Sequence, residues 1–328
     1  MNPVSSQLLG IDYQSEGFPS GSPVSNGYGT LDTSWGELLW AAITVGRPDR
    51  MYVFRYGHAS TYEALFRLSL VRMALEQSGP RAFRLRRTDA VKTLYPSEKG
   101  AVNYFLGMTL CKLFAAKLLN TPWVMHLDVF RPQINAVLTG RSRPDLMGQS
   151  SNGEWIVLES KGRVSAPDRN VKTKAKQQAT RVVSVNGQRP ACCIGGITYF
   201  RNDTLQYYWC DPEPPQQEHQ AGAIKITAEE NIWIHYYAPL VELFKSIHHD
   251  SIDNWRNSIF NEQLDIGIKI YEPLFKLLLN GEYIAARKIC YENSGKMMME
   301  GFKADGIQII AGASWQKPFV EFNKYHER

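Results

Sequence analysis

The feature that most constrains this chain is a pair of apolar runs joined by Asn152-Gly153. The first run follows Pro144-Asp145, and the second starts at Trp155 and ends in Glu159-Ser160-Lys161. Asn-Gly between two such runs is the strongest short signal for a β-hairpin. The sequence therefore predicts two antiparallel strands in which charged side chains adjoin a buried apolar stretch.

The charged side chains of this hairpin are expected to share one face. Glu159 and Lys161 are two residues apart, so they point to the same side of a strand. A turn centred on Asn152-Gly153 places Asp145 opposite about position 160, or one residue away if the hairpin contains a bulge. The register therefore decides whether all three side chains converge.

Two carboxylates on one face repel each other when they are poorly solvated. A hard divalent cation removes this repulsion, and Mg²⁺ prefers carboxylate oxygens while sharing other positions with water and phosphate. Asp145 and Glu159 are therefore candidate metal ligands, with Mn²⁺ expected to substitute for Mg²⁺. Lys161 is a candidate catalytic residue that orients water and stabilises charge during phosphodiester hydrolysis.

The order Pro144-Asp145, hairpin, Glu159-Ser160-Lys161 resembles the PD-(D/E)xK nuclease superfamily over about residues 95–210. The resemblance implies an α/β, restriction-endonuclease-like fold with a mixed central sheet flanked by helices. It implies Mg²⁺-dependent cleavage of nucleic acid, usually double-stranded DNA. It further implies a catalytic, metal-linked glutamate on the preceding helix, here Glu98. A glutamine is implied on the following helix, where Gln177 is preferred over Gln178.

Basic segments are candidate nucleic-acid contacts, although each is also typical of a solvated surface. One set comprises Lys172, Lys174, Lys176 and Arg181, and a second comprises Arg84, Arg86 and Arg87 beside Phe83. Such residues would contact backbone phosphates without reading sequence. His126 and Asp128 share a strand face and could supply another metal ligand, or they are simply the polar side of a half-buried strand. The segment His248-His249-Asp250 is interpreted as a helix end.

Composition along the chain predicts four regions. Residues 1–33, rich in Ser, Gly, Pro and Asn, are predicted to be a flexible arm. Residues 34–94 are predicted to be a helical region packed on a nuclease core at 95–215. Residues 216–328 are expected to form an α+β region of unknown role, preceded by a linker at 211–217.

Other totals set broader limits. The formal net charge of +5 is compatible with a polyanionic partner, and the 5 cysteines contain no CxxC pair. A zinc ribbon is therefore not expected. The chain starts without a secretory pattern and has no apolar run long enough for a bilayer, which predicts a cytoplasmic protein with no membrane partner. P-loop, dinucleotide-binding and serine-hydrolase motifs are absent from the sequence.

The sequence leaves several functions open. The first hypothesis is a metal-dependent DNA endonuclease of bacterial restriction or phage defence, in which a homodimer or a partner protein supplies the second cut. A structure-directed or RNA-directed nuclease would use the same residues. A non-catalytic nucleic-acid or protein binding module, or an unrelated α/β protein with a chance match, are the remaining alternatives.

Overall fold

The computed structural model describes residues 8–45, 59–77, 83–127, 143–211, 223–228, 230–247 and 256–316. Its α-helices are α1 (Trp35–Thr44), α2 (Ala59–Ala74), α3 (Asp89–Thr93), α4 (Pro96–Leu118), α5 (Arg169–Ala179), α6 (Ile234–Ile247), α7 (Glu272–Leu279), α8 (Tyr283–Glu292) and α9 (Ser294–Met299). Short 3₁₀ helices occupy Glu230–Trp233 and Ala313–Gln316.

The strands in the same part of the chain are β1 (Leu9–Glu16), β2 (Gly27–Thr33), β3 (Leu75–Gln77), β4 (Leu85–Arg87), β5 (Trp123–His126), β6 (Leu146–Gln149), β7 (Trp155–Gly162), β8 (Val182–Val185), β9 (Cys192–Arg201), β10 (Thr204–Cys210), β11 (Ile224–Ile226), β12 (Ser258–Asn261), β13 (Ile266–Ile270) and β14 (Ile307–Ala311). Two small sheets, β11-β8 and β12-β13-β14, accompany a nine-stranded sheet.

The nine-stranded sheet is mixed. Its main path is β2-β1-β10-β9-β7-β6-β5, with β4 paired to β10 and β3 to β4. The β1–β10 and β7–β9 pairs are parallel, while the other neighbours are antiparallel. Because α5 lies between β7 and β9 in the chain, it forms the crossover that a parallel pair requires. The predicted α/β class, a mixed central sheet flanked by helices, is confirmed.

Different helices cover the two faces of this sheet. A Cβ atom on Gly107 of α4 would lie 3.1 Å from the Ser160 Oγ, so α4 covers the face to which Ser160 points. A Cβ atom on Gly195 would lie 3.1 Å from the Ala175 Cβ of α5. Gly195 is paired with Glu159, so Glu159 points toward α5. We call these two sides the α4 face and the α5 face.

The prediction of a flexible arm is wrong for residues 8–33, the part of that segment that the structure describes. β1 and β2 are integral strands of the main sheet, and Leu9 and Ile11 are fully buried. Leu9, Gly10 and Ile11 are all buried, so β1 starts inside the sheet although the turn that follows it is rich in Gly and Ser. The predicted boundary at residue 95 likewise does not delimit the sheet, because β1 to β4 precede it.

In its described residues, the C-terminal region predicted to be α+β contains strands β12–β14 and helices α6–α9. This region shares a buried polar network with the main sheet's helices. Asp305 accepts hydrogen bonds from Trp40 Nε1 at 2.9 Å and from the Tyr236 hydroxyl at 2.5 Å, and Lys112 Nζ donates to that hydroxyl at 2.8 Å. The C-terminal region is therefore packed into the common core.

Three sequence predictions fall outside the described residues. They are the linker, of which only position 211 is described, Asp128, and the His248-His249-Asp250 segment. Within the described ranges, no helix is long and apolar enough to cross a bilayer. The polar segment over 168–185 contains α5, which ends at Ala179, and then strand β8.

Candidate active site

The turn of the β6–β7 hairpin is longer than a two-residue Asn-Gly turn. Residues 150–154 connect the strands, and the Ser150 N–H donates to the Glu154 carbonyl at 2.9 Å. Gly153 has a φ of +85°, in the left-handed region that glycine adopts without a Cβ penalty. A left-handed glycine that closes the turn adds a residue relative to the two-residue hairpin.

This turn sets the register of the candidate site. Leu146 pairs with Leu158, so the preceding residue, Asp145, lies directly opposite Glu159. Directly opposite residues in an antiparallel pair point to the same face. Lys161 lies two residues further on that face. The bulged alternative is therefore the correct one, and it brings Asp145, Glu159 and Lys161 together on the α5 face.

Asp145, the residue immediately before β6, is held by hydrogen bonds to the chain on both sides. Its Oδ2 accepts the Ser160 N–H at 2.9 Å, and its carbonyl accepts the Leu127 N–H at 2.8 Å. Burial raises the pKa of the Asp145 carboxyl, while the hydrogen bond from Ser160 opposes the rise. The carboxylate is thus fixed in position and only partly stabilised in its charged form.

Glu159 is the most deeply buried charged group of the site, with 2% of its surface exposed. Its Oε1 accepts from Lys161 Nζ at 2.6 Å, whereas its Oε2 is buried and accepts from no donor of the described residues. The Asp145 carboxyl lies within hydrogen-bonding reach of the Glu159 carboxyl, an interaction that requires one of the two to be protonated. Burial raises the pKa of Glu159 to about 8, and the Asp145 carboxylate adds to the rise. Lys161 lowers the pKa of Glu159, but burial and Asp145 raise it by more. One ammonium group therefore does not compensate the charge of two buried carboxylates.

The Lys161 ammonium links the strand to α5. It donates to Gln178 Oε1 at 2.6 Å as well as to Glu159, and 24% of its side chain remains exposed. Gln177, the residue preferred from sequence, is exposed to solvent, so that preference is wrong for this contact. The sequence signal for Gln178 is the pair of alanines, Ala175 and Ala179, four residues apart in an otherwise polar helix. They mark the buried, sheet-facing side of α5, and Gln178 lies three residues after the first and one before the second.

Glu98 does not join the site, and its predicted role as a metal ligand is not supported. Its Oε2 accepts the Tyr95 N–H at 2.9 Å, closing the N-terminus of α4, and its side chain is exposed. Gly107, which contacts β7, lies nine residues further along α4. At about 100° per residue, nine residues correspond to the opposite side of the helix.

His126 is also excluded as a ligand beside Asp145. It pairs with Leu146, so it points to the α4 face, whereas Asp145 points to the α5 face. Its Nε2 lies 3.2 Å from the Tyr104 hydroxyl, and burial lowers the pKa of the His126 imidazole to about 4. Sequence reasoning did not single out Tyr104, whose pKa is raised by burial and by the nearby Asp145.

The predicted phosphate-binding arginines do not form a free basic cluster. Each has a carboxylate partner: Arg84 with Asp12, Arg86 with Glu76, and Arg87 with Asp203, at 2.8, 2.9 and 2.7 Å respectively. On α5, Lys172 lies 3.5 Å from Glu16 and 3.8 Å from the centre of the Tyr208 ring. Lys174 is exposed, while Lys176 and Arg181 are half-buried.

The two carboxyl groups of the site suit a hard divalent cation that needs few protein ligands. No group of three or more His, Cys, Asp or Glu side chains that could hold a metal ion occurs in the described ranges. Asp145 and Glu159 nevertheless form an adjacent, buried carboxyl pair, and Glu159 Oε2 is unpaired. Mg²⁺ uses only one or two protein carboxylates and leaves its other positions to water and phosphate. The residues therefore fit such an ion.

Comparisons with other proteins leave the site to be judged on its own chemistry. Neither known protein families, nor characterised proteins, nor solved structures include a match to this chain. A functional proposal therefore depends on the geometry of the candidate site, because a fold class alone does not determine function.

Proposed function

We propose that this chain is a Mg²⁺-dependent endonuclease of the PD-(D/E)xK, restriction-endonuclease-like type, which hydrolyses phosphodiester bonds in DNA. One observation carries the proposal. Asp145, Glu159 and Lys161 meet on one face of the hairpin, and Gln178 binds the Lys161 ammonium from α5. Mn²⁺ would substitute for Mg²⁺. A role in bacterial restriction or phage defence is part of the proposal and rests on the motif resemblance alone.

The two carboxylates would hold the ion. Asp145 has one oxygen not used by Ser160, and Glu159 has the unpaired Oε2, so each offers a ligand atom. When bound, Mg²⁺ supplies charge neutralisation at the phosphate and makes a bound water more acidic. The same carboxylates, whose charged forms are disfavoured by burial, become stable next to a divalent cation.

Lys161 would act on the phosphate and the attacking water. Its ammonium is held between Glu159 and Gln178, which leaves a third N–H for a substrate oxygen. A fixed donor of this kind stabilises negative charge that develops in the transition state, without a reorganisation cost. Gln178 therefore serves as a positioning residue, and the buried strand β7 provides the rigid support.

The test is a cleavage assay with the purified full-length chain and matched variants. We expect cleavage of DNA with Mg²⁺ and none with EDTA. Asp145→Asn and Lys161→Ala should each lower the rate by about 100-fold or more. Gln178→Ala should lower it by about 10- to 150-fold, because a hydrogen bond to a charged group contributes roughly 1.5–3 kcal/mol. Gln177→Ala, an exposed neighbour on α5, is the matched control and should cleave like the parent.

Three results would count against the proposal. Failure to cleave any nucleic acid with Mg²⁺ or Mn²⁺ would favour the binding-module alternative. Cleavage of RNA alone would replace DNA as the substrate. Parental rates for both Asp145→Asn and Lys161→Ala would show that the site lies elsewhere.

A further inference from the structure

Part of the α5 face lies outside the area that α5 covers, on strands β1, β2, β9 and β10. It consists of Gln14, Tyr28, Thr30, Tyr199 and Gln206, and we call it the tyrosine surface. The Tyr28 ring is 86% exposed, and the other four side chains are exposed or half-buried. On the opposite face of the same strands, apolar residues such as Ile11 and Leu205 are fully buried.

The register connects this surface to the candidate active site. Paired residues lead across five strands on one face, in the order Lys161, Ile197, Tyr208, Gln14 and Tyr28. Four strand spacings of about 4.8 Å place Tyr28 roughly 19 Å from Lys161. α5 packs over the middle of this row, on Ile197 and Tyr208. Tyr199 packs against the edge of that cluster, near the start of α5. A ligand that runs from Tyr28 to Lys161 around this end of the helix would therefore contact Tyr199.

The charges along this route favour a polyanion. Arg163 and Arg201 are exposed and lie two residues beyond Lys161 and Tyr199, on the same face. Arg169, at the first turn of α5, is exposed as well.

The carboxylates beside the tyrosine surface are largely neutralised. Asp12 forms an ion pair with Arg84 at 2.8 Å and accepts the Thr30 hydroxyl at 2.7 Å. Glu16 accepts the Tyr208 hydroxyl at 2.7 Å and lies 3.5 Å from Lys172 Nζ. Asp32 is exposed, but it lies four residues from Tyr28 toward the far end of β2. A phosphate backbone could therefore pass Tyr28 without meeting an unpaired carboxylate of the residues that the structure describes.

Exposed rings next to arginines and amides suit unpaired bases. Bases of single-stranded nucleic acid stack on aromatic rings, and each such contact contributes substantially to affinity. Gln14 and Gln206 add hydrogen-bonding groups between the two rings. In a duplex the base faces are already stacked on one another, so an open aromatic surface offers a duplex little beyond phosphate contacts.

We propose that the tyrosine surface binds a single-stranded stretch of DNA that leads to the scissile bond, with bases stacked on Tyr28 and Tyr199. The inference rests on the proposed nuclease function and narrows its substrate class to DNA that contains unpaired nucleotides. The arginines near the start of α5 contact the phosphates between the rings and Lys161.

Fluorescence anisotropy in EDTA tests this proposal without turnover. The probe is a labelled oligothymidylate of about 20 nucleotides, compared with a blunt duplex and with oligouridylate. Tyr28→Ala and Tyr199→Ala should each weaken oligothymidylate binding by about 5- to 100-fold. Tyr28→Phe keeps the ring and should bind within about twofold of the parent. Phe260→Ala, which removes a half-exposed ring from β12, is the matched control and should bind like the parent.

The outcomes separate this inference from the proposed function. The inference would be overturned, even if DNA is cleaved, by either of two results. One is that Tyr28→Ala binds oligothymidylate as tightly as the parent does, and the other is that the parent binds the duplex as tightly as it binds oligothymidylate. Much tighter binding of oligouridylate would replace DNA by RNA as the occupant. Loss of binding in Tyr28→Ala and recovery in Tyr28→Phe would support the surface even if no cleavage is found.

Discussion

Glu159 and Asp145 lie side by side where neither carboxylate is well hydrated. Among the described residues, Lys161 is the cation in direct contact with Glu159, and its ammonium also donates to the neutral Gln178. Burial therefore raises the pKa of both carboxyls, and the neighbouring Asp145 carboxylate raises that of Glu159 further. A site built this way costs stability when it is empty and charged, and that cost is recovered when a cation binds.

This cost predicts a specific pH dependence for the metal-free protein. The pKa of Glu159 is about 8 in the folded state, against 4.5 ordinarily. Between these values the unfolded chain has released a proton that the folded protein still holds, so the free energy of unfolding falls as pH rises from about 5 to 8. We expect the Tm in EDTA to fall over this interval.

Two comparisons make the pH prediction decisive. Glu159→Gln should flatten the dependence, and Mg²⁺ should raise the Tm more at pH 8 than at pH 5. Thermal unfolding followed by circular dichroism provides the measurement. An equally steep fall in Glu159→Gln would show that another group is responsible.

At the scale of elements, the site depends on the direct contact of α4 with β7. A Cβ atom on Gly162 would lie 1.7 Å from the Asn103 carbonyl oxygen, so helix backbone meets strand backbone without an intervening side chain. Gly107 makes the reciprocal approach from the helix, with its Cβ position 3.1 Å from the Gly162 nitrogen. This contact fixes the end of the strand that carries Lys161.

We predict that Gly162→Ala destabilises the protein by about 1–3 kcal/mol, because neither backbone can move away without distorting its element. Gly100→Ala is the matched control in α4. Its Cβ would meet nothing within 4 Å, and alanine favours a helix over glycine by up to about 1 kcal/mol. Urea denaturation should show opposite shifts of the midpoint, and a parent-like midpoint for Gly162→Ala would contradict the packing argument.

At the scale of the molecule, a buried polar network joins the N-terminal helices to the C-terminal region. Lys112 and Asp305 are fully buried, and the Tyr236 hydroxyl lies between them. Burial lowers the pKa of Lys112 to about 7 and raises that of Asp305, while their mutual attraction opposes both shifts. Each partner is therefore tolerated in the core because the other is present.

Replacing Lys112 or Asp305 alone should therefore destabilise the protein by more than half of the effect of replacing both. We predict that Lys112→Met and Asp305→Asn each destabilise the protein by about 3–5 kcal/mol, since the remaining group stays buried without its partner. The double variant should be less destabilised than the sum, by about 0.5–3 kcal/mol. Lys276→Met, at a side chain that is 71% exposed, is the control and should change stability by no more than about 0.5 kcal/mol. Strict additivity in urea denaturation would contradict the coupling.

Local patterns were enough to predict several elements of the structure. The hairpin, the apolar strand that ends in Glu159-Ser160-Lys161 and the helices of the 34–94 region follow from apolar runs and turn residues. These signals are local because each depends on residues that are neighbours along the chain. The motif itself is of the same kind, since Glu159 and Lys161 must share a strand face whatever surrounds them.

Tertiary structure decided the rest. A bulged turn closed by Gly153 selected the register that places Asp145 opposite Glu159, and the packing of α5 selected Gln178 over Gln177. Residues 9–16 look like a polar arm in composition, yet they form a parallel strand beside β10, nearly 200 residues away in the chain. The physical reason is that strand pairing and helix facing are settled by contacts between distant segments, which no local window of sequence contains.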